Sequence, residues 1–322
     1  FCESRDCVHN SSLDMENFLE KCKYLLLIIY FILEAIVLKF IPKRFWSKSI
    51  AEEIVLVTGA GSGLGRLLAL KLSSLVSQLV LWDIDENGLT ETAKLVKDAG
   101  GRCKTYVVDV SDRSMVYKTS EQIREEVGVV TMLINNAGIV NGKKLLQLSD
   151  ERIVKTFEVN TLAHFWICKA FLPDLVKLKR GHIVTISSVV GFFGASHMTD
   201  YSGSKFAATR FHESLMLELK DSGYDDIHFT LVCPFFMNTQ MFQGAKTGLL
   251  NGLTADYVAD QIIEAIKTNQ DYLYLPKPFY PIHTLLTMMP TRSLYAMSRM
   301  MGSKSIMTDF IVSRSSIIFQ NH

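Results

Sequence analysis

The stretch that decides the fold is TGAGSGLG, residues 58–65 of this 322-residue chain. It follows the short apolar run IVLV, residues 54–57, and leads into the helix-like stretch RLLALKLSSLV, residues 66–76. A buried strand, a glycine-rich turn and a helix form the context that a dinucleotide-binding fingerprint requires. Glycines allow a tight turn and a close backbone approach, so that a pyrophosphate lies at the helix N-terminus. The residues expected to bind it are Gly59, Ser62, Gly63, Leu64 and Gly65.

The second predicted strand, residues 78–82, ends at an acidic residue, Asp83, 18 positions after Gly65. A carboxylate there accepts hydrogen bonds from the ribose hydroxyls of adenosine and repels a 2′-phosphate. The turn itself offers Ser62 rather than a basic side chain to such a phosphate. The pattern favours NAD over NADP as the cofactor. The alternative role for Asp83 is that of a helix N-cap or a turn residue.

Strands and helices alternate along the rest of the domain, which is expected to cover residues 50–275. This alternation predicts an α/β fold with a single doubly wound parallel sheet of the Rossmann type. The further predicted strands are 104–108, 132–134, 182–186 and 272–275, and the predicted helices are 111–127 and 151–178.

The composition argues against several classes of function. A net charge of +1 gives no reason to expect nucleic acid as a partner. The histidines, cysteines and carboxylates have no metal-ligand spacing, so we expect no metal. None of the 6 cysteines forms a C-x-x-C pair, which favours free thiols in a reducing compartment.

An apolar segment precedes the domain. Residues 24–41, YLLLIIYFILEAIVLKFI, are interrupted only by Glu34 and Lys39. A helix of that length measures about 27 Å, slightly less than a hydrocarbon core. We therefore expect a membrane anchor over residues 24–46, either spanning the bilayer or lying in one leaflet. Basic residues crowd its C-terminal flank, so a spanning helix would place the following domain in the cytosol.

Two further segments flank these regions. Residues 1–23 are read as a leader that is in part not native, because Met15 resembles a natural start. Residues 276–322 are apolar and rich in methionine, with scattered arginines. They are expected to form an amphipathic extension that either associates with a membrane or covers an apolar pocket as a lid. Ordinary packing against the domain is the alternative.

Tyr201 and Lys205 carry the clearest chemistry. They lie four residues apart at the start of a predicted helix, so both side chains share one face. An alcohol gives up a hydride only if its hydroxyl proton also leaves, which requires a base within hydrogen-bond reach. Tyrosine, with a pKa of about 10, is a poor base at neutral pH. The Lys205 ammonium and a positive nicotinamide ring would both favour the phenolate.

The motifs together resemble the short-chain dehydrogenase/reductase superfamily. TGAGSGLG, the NNAG of residues 135–138, Asn160, Ser188 and Tyr201-x-x-x-Lys205 occur in its order, and Ser188 precedes Tyr201 by its 13 residues. FEVNTLAHFW, GHIVTISSVVG, SKFAATRFHESL and CPFFMNTQMF are similar to the branch that contains epidermal retinol dehydrogenase and lipid-droplet 17-beta-hydroxysteroid dehydrogenases. One departure is Phe235, because most members have glycine after this proline.

The resemblance implies a role for each residue of the set. Tyr201 is the acid/base and also belongs to the cofactor-binding set, and Lys205 also holds the nicotinamide ribose. Ser188 bonds the reacting oxygen, and Asn160 positions a water in a proton relay. His164 and His212 are expected to pack rather than react. A homodimer is implied, on the endoplasmic reticulum membrane or the lipid-droplet surface. The remaining cofactor-binding residues are Asp83, Asp109, Val110, Asn136, Ala137, Gly138, Pro234 and Thr239, with Thr239 at the nicotinamide amide.

The expected function is NAD-dependent oxidation of a lipophilic alcohol, with all-trans-retinol favoured. One alternative is oxidation of a steroid 17-beta-hydroxyl. An alternative of another class is a non-catalytic lipid-surface binding protein, against which the complete set of reactive residues argues. The loops around 190–200 and 235–255 should form the substrate pocket. Its expected lining is apolar: Phe192, Phe193, Phe235, Phe236, Met237, Met241 and Phe242.

Overall fold

The chain forms two compact units, Phe1–Lys48 and Ser49–His322. The structure, a computed structural model, describes residues 3–38, 40–244, 252–277, 279, 285, 288–300, 307 and 310.

The first unit consists mainly of one long helix, α1 (Glu3–Leu38), followed by a 3-10 turn at Lys43–Phe45. The helix extends through the expected leader, because neither proline nor glycine occurs before Pro42. Apolar side chains from Tyr24 to Leu33 are exposed along it. Within the described residues, no helix has an apolar stretch long enough to cross a membrane. The membrane anchor stays a prediction.

The second unit contains the predicted parallel sheet. Seven strands lie in the order β3-β2-β1-β4-β5-β6-β7, and every neighbouring pair is parallel. The order reverses between β1 and β4, which creates a crevice at the carboxyl ends of the strands. The strands are β1 (Ile54–Thr58), β2 (Gln78–Asp83), β3 (Cys103–Val107), β4 (Met132–Asn135), β5 (Gly181–Ile186), β6 (Ile227–Pro234) and β7 (Tyr272–Leu275).

Helices cover both faces of the sheet, so the doubly wound α/β fold is confirmed. Leu68 of α2 and Ile262 of α8 belong to the apolar core on one face, and Ile123 of α4 and Phe171 of α6 belong to the core on the other. The helices are α2 (Gly63–Leu72), α3 (Glu86–Asp98), α4 (Arg113–Glu126), α5 (Asp150–Phe157), α6 (Ala163–Leu178), α7 (Thr199–Asp221), α8 (Ala255–Lys267) and α9 (Thr291–Met300).

The predicted single helix over 151–178 is divided in the structure. A π-helical turn, Glu158–Leu162, separates α5 from α6. Such a turn has one extra residue, which changes the direction of the side chains that it carries, and it is frequent at functional sites. The apolar periodicity of the sequence is helical on both sides of the turn and does not reveal it. Asn160 lies in the middle of the turn.

Candidate active site

A cleft with an empty volume of about 1170 Å³, open to solvent, lies at the carboxyl ends of the strands. Its position at the reversal of strand order is the usual ligand site of such sheets. Most residues that the sequence singled out lie in its wall. Those are Gly59, Ser62, Gly63, Leu64, Gly65, Asp83, Val110, Asn136, Ala137, Gly138, Ser188, Tyr201, Lys205, Pro234 and Thr239.

The glycine turn leaves room for a ligand against the backbone. Gly59 and Gly63 have positive φ angles of 67° and 51°, which favour glycine. A Cβ on Gly65 would lie 2.0 Å from the Gly59 carbonyl oxygen, so the start of α2 packs directly on the turn. A Cβ on Gly63 would meet only the Thr239 Cβ, 4.0 Å away. Thr239 therefore faces the turn across the cleft, and the cradle fits a pyrophosphate group.

Asn136 fixes this turn to the end of β4. Its side-chain amide donates to the carbonyl oxygens of Thr58 (2.8 Å) and Gly59 (3.3 Å). The Thr58 hydroxyl in turn accepts from the backbone amides of Asn136 and Ala137, at 3.0 Å each. Asn136 thus lies at the cleft as predicted, with its side chain bonded to the turn.

Asp83 ends β2 beside the turn. One carboxylate oxygen accepts from the Gly61 amide at 2.8 Å, and the other accepts from the Asp85 amide at 2.9 Å. Burial raises the pKa of Asp83, and these backbone hydrogen bonds oppose the rise. Each carboxylate oxygen can accept further hydrogen bonds, so Asp83 can receive ribose hydroxyls.

Arg66 is a residue that the sequence analysis missed. Its guanidinium donates to the Gly61 carbonyl oxygen and to the Thr92 hydroxyl, and it forms an ion pair with Glu91 at 2.8 Å. Both backbone polar groups of Gly61 are therefore held, its N–H by Asp83 and its C=O by Arg66. A basic residue directly after the fingerprint is the sequence signal that could have revealed this contact.

Tyr201 is a buried residue in the wall of the cleft. Burial raises the pKa of Tyr201, and a hydrogen bond with Ser188 lowers it. With Tyr201 protonated, the Ser188 hydroxyl donates to the Pro234 carbonyl oxygen at 3.3 Å. Ser187, the alternative serine, contacts the Lys205 carbonyl oxygen and Thr209 instead. The sequence predicted that Lys205 and a nicotinamide ring lower the Tyr201 pKa. In the protein without cofactor, burial has the larger effect and the Tyr201 pKa is raised.

Lys205 lies beneath Tyr201, with its ammonium 5.9 Å from the ring centroid and 2.7 Å from the Ile186 carbonyl oxygen, to which it donates. Burial lowers the pKa of Lys205 to about 8. A Cβ on Gly138 would lie 3.5 Å from the Lys205 Nζ and 3.2 Å from the Asn160 Oδ1. Gly138 therefore keeps the space between these two side chains open.

Asn160 is buried behind the cleft and is not in its wall. Its amide nitrogen donates to the Ile139 carbonyl oxygen (2.9 Å) and the Ser204 hydroxyl (3.0 Å). Its Oδ1 accepts from the Ile139 amide at 2.8 Å. Both N–H donors of the side chain are therefore used within the protein.

Asp109 does not line the cleft, which departs from the sequence expectation. Its carboxylate forms an ion pair with Lys155 at 3.0 Å and accepts from the amide and hydroxyl of Ser111. Lys155 lies on α5, 46 positions further along the chain, and its ion pair directs the Asp109 carboxylate toward that helix. Val110, the next residue, lies in the wall instead.

His164 and His212 are buried in the helices behind Lys205. Burial lowers the pKa of each to about 3, so both rings are neutral near pH 7. Nδ1 of His212 bonds the Thr185 hydroxyl at 2.9 Å. Neither histidine lines the cleft, in keeping with the packing role that the sequence assigned.

An apolar wall faces Tyr201. The Phe242 ring meets the Tyr201 ring edge-on at 6.1 Å, and Phe236 meets Phe242 at 5.1 Å. Five of the seven expected apolar residues line the cleft, whereas Phe192 and Phe193 pack behind it in the same cluster. The sequence missed three members from the far end of the chain: Phe279, Met307 and Phe310.

Comparison with known proteins agrees with this architecture. The family model described as short chain dehydrogenase matches residues 53–249. Human epidermal retinol dehydrogenase 2 is 44% identical over 287 residues, covering 88% of this chain and 92% of that protein. Human estradiol 17-beta-dehydrogenase 11 is 41% identical over 278 residues, covering 86% and 92%. A short chain dehydrogenase/reductase from Burkholderia phymatum, solved in complex with NAD, superposes with a TM-score of 0.68 at 27% identity, covering 74% and 94%.

The chain belongs to the short chain dehydrogenase family. It is an oxidoreductase related to retinol dehydrogenases and 17-beta-hydroxysteroid dehydrogenases, and the enzyme class predicted from its motifs is confirmed.

Proposed function

We propose that this protein oxidises a lipophilic alcohol with NAD as the electron acceptor. One observation carries the proposal: Tyr201 and Ser188 line the cleft together, with Lys205 close to the Tyr201 ring, where a polar nucleotide wall meets an apolar wall. An alcohol held against the apolar wall would place its hydroxyl at Tyr201. The carbon that carries this hydroxyl would then face the nucleotide wall.

The nucleotide wall fits NAD. The glycine turn would hold the pyrophosphate, and Asp83 would accept hydrogen bonds from the adenosine ribose. Its negative charge disfavours a 2′-phosphate. The bound NAD supplies the acceptor for the hydride. The related Burkholderia enzyme, solved in complex with NAD, supports this assignment.

The protein's own groups would handle the proton. Tyr201 would accept the hydroxyl proton of the alcohol, and Ser188 would hold the same oxygen by a hydrogen bond. Lys205 would favour the phenolate form of Tyr201 and bond the nicotinamide ribose. Asn160 would act through its position next to Gly138 and Lys205, with its side chain holding the Ile139 backbone.

All-trans-retinol is the substrate that we favour. A polyene suits the aromatic rings of Phe236 and Phe242, and the relative that is 44% identical is named a retinol dehydrogenase.

Met307 and Phe310 pack in the same apolar cluster as Tyr201, which supports the lid alternative for the C-terminal extension.

Steroid 17-beta-hydroxyl oxidation is the second candidate. The relative that is 41% identical is named estradiol 17-beta-dehydrogenase 11, and an aromatic wall also suits steroid rings. The discriminating measurement is NADH formation with retinol and with estradiol in the same membrane preparation. We expect a higher kcat/KM for retinol. A tenfold advantage for estradiol, about 1.4 kcal/mol in transition-state binding, would favour the second candidate.

We further place the enzyme on the endoplasmic reticulum membrane or the lipid-droplet surface, with the catalytic unit in the cytosol. The exposed apolar side chains of α1 support this location. The full chain should resist carbonate extraction, and a chain that starts at Ser47 should be released at least in part.

We also propose a homodimer that covers α6 and α7. The exposed apolar side chains on these helices support it: Phe165 on α6, and Phe206 and Leu217 on α7.

A further inference from the structure

The loop after β4 carries two leucines that are exposed to solvent. Leu145 is 56% exposed and Leu146 98% exposed, whereas Val140 and Gly142, shortly before them, are buried. Isolated exposed leucines are common on protein surfaces, but two adjacent ones on a projecting turn form a local apolar tip. Lys143 and Lys144 come directly before them.

Several backbone groups of the turn that carries these leucines form hydrogen bonds within the turn. The Gln147 amide donates to the Lys144 carbonyl oxygen at 2.8 Å, and the Leu148 amide donates to the Leu145 carbonyl oxygen at 3.1 Å. The Lys144 amide donates to the Gln147 side chain at 3.4 Å. Backbone groups that are already bonded can enter a lipid interface at a lower free-energy cost.

The charges around the tip favour an anionic surface. Neither Lys143 nor Lys144 has an acidic partner within hydrogen-bond reach among the residues that the structure describes. Asp150 and Glu151 follow in the first turn of α5, where the helix N-terminus stabilises negative charge. The lysines therefore stay available to lipid headgroups.

The base of the loop packs against the apolar cluster that contains Tyr201. A Cβ on Gly142 would lie 2.4 Å from the Phe310 ring and 2.7 Å from the Met307 methyl carbon. Val140 packs in the same apolar cluster as Tyr201. The loop therefore joins the exposed leucines to the apolar cluster of the catalytic unit.

We propose that Lys143–Leu146 is a membrane-docking tip, in which the leucines enter the interface of an anionic membrane and the lysines bind its headgroups. The tip belongs to the catalytic unit and is separate from α1. It would hold the apolar side of the cleft against the lipid surface.

The first test measures where the tip lies. In the full chain with Trp46→Phe, a tryptophan is introduced by Leu146→Trp or, as a matched control, by Leu95→Trp on α3, another exposed leucine. Vesicles of phosphatidylcholine and phosphatidylserine carry bromine on their acyl chains. We expect them to quench the fluorescence that Leu146→Trp adds and not that of Leu95→Trp. Lys143→Gln with Lys144→Gln should weaken this quenching.

Three results would overturn the proposal. The first is the absence of quenching at position 146. The second is quenching that is unchanged when phosphatidylserine is left out. The third is a blue shift that grows with protein concentration without vesicles, which would assign the tip to contact with a second copy of the chain.

A second test rests on the proposed function. Leu145→Ser with Leu146→Ser should raise the KM for an alcohol dissolved in vesicles about tenfold, because two apolar side chains no longer enter the interface. The KM for a short water-soluble alcohol and for NAD should not change. An equal KM for the vesicle-dissolved alcohol would contradict the docking role. Failure of wild type with every alcohol would contradict only the proposed function, since the quenching test needs no turnover.

Discussion

The two walls of the cleft are built in different ways. The nucleotide wall comes from the ends of β1, β2 and β4. Its contacts involve backbone groups, as in the Gly61 N–H bonded to Asp83 and the Gly61 C=O bonded to Arg66. The apolar wall and the cluster behind it join side chains from Val140 to Met307, most of which are aliphatic or aromatic and pack by apolar contact. The first wall therefore suits one fixed ligand, whereas the second can change its shape by single substitutions.

The largest expected effect concerns the residue where the two walls meet. Tyr201→Phe removes the proton acceptor and should lower kcat by about 10³-fold, within the range for general-base catalysis. Binding of NAD should stay within about threefold, because the substitution removes only the hydroxyl group and keeps the aromatic ring in the cleft wall. Titration with NAD and NADH formation measure the two effects separately. Tyr257→Phe, on the exposed side of α8, is the control and should behave as wild type. Substantial turnover by Tyr201→Phe would refute the assignment.

The second expected effect lies in the nucleotide wall alone. Asp83→Ser with Ile84→Arg removes the carboxylate and adds a cation, so the ratio of kcat/KM for NAD over NADP should fall roughly 30-fold or more. The KM for the alcohol should stay the same. Ile84→Arg alone separates the two contributions. If wild type already prefers NADP, Asp83 does not have the role inferred for it.

The third effect lies in the apolar cluster behind the wall. Phe310→Ala removes a ring that packs near Gly142, so kcat/KM for the lipophilic alcohol should fall about tenfold. The KM for NAD should be unchanged. Tyr295→Ala, an exposed aromatic residue on α9, serves as the matched control. An equal loss with a short alcohol would mean that Phe310 supports the fold rather than the substrate.

The smallest effect tests how firmly the glycine turn is held. Arg66→Met should raise the KM for NAD about threefold to tenfold, because the Gly61 carbonyl oxygen loses the hydrogen bond from the Arg66 guanidinium. At saturating NAD, kcat and the KM for the alcohol should be close to wild type. Arg124→Met is a suitable control, since Arg124 also donates to a carbonyl oxygen and pairs with an aspartate, away from the cleft. Similar effects of both variants would indicate general destabilisation.

The same contrast explains what the sequence could reveal. The nucleotide wall follows from short spacings, so the turn at 58–65, Asp83 at the end of β2 and the pair Tyr201 and Lys205 could be located from residue order alone. The parallel sheet followed from the alternation of strands and helices, and the structure confirms it.

The structure departs from the sequence expectations where distant residues meet. Asp109 was expected at the nucleotide, but its ion pair with Lys155 joins positions 46 residues apart, which no local pattern records. Met307 and Phe310 reach the Tyr201 cluster from the far end of the chain for the same reason. An apolar side chain that packs against a remote segment has the same periodicity as any other core residue.

The π-helical turn at Glu158–Leu162 also bears on how this chain tolerates change in length. Each residue of a helix rotates the following side chains by about 100°, so one extra residue sets α5 and α6 in different registers. Deleting a single residue from this turn would restore a regular helix with better backbone hydrogen bonds. The same deletion would rotate Asn160 away from the Ile139 backbone that it now holds. We therefore expect such a deletion to make the helix more stable and the enzyme less active.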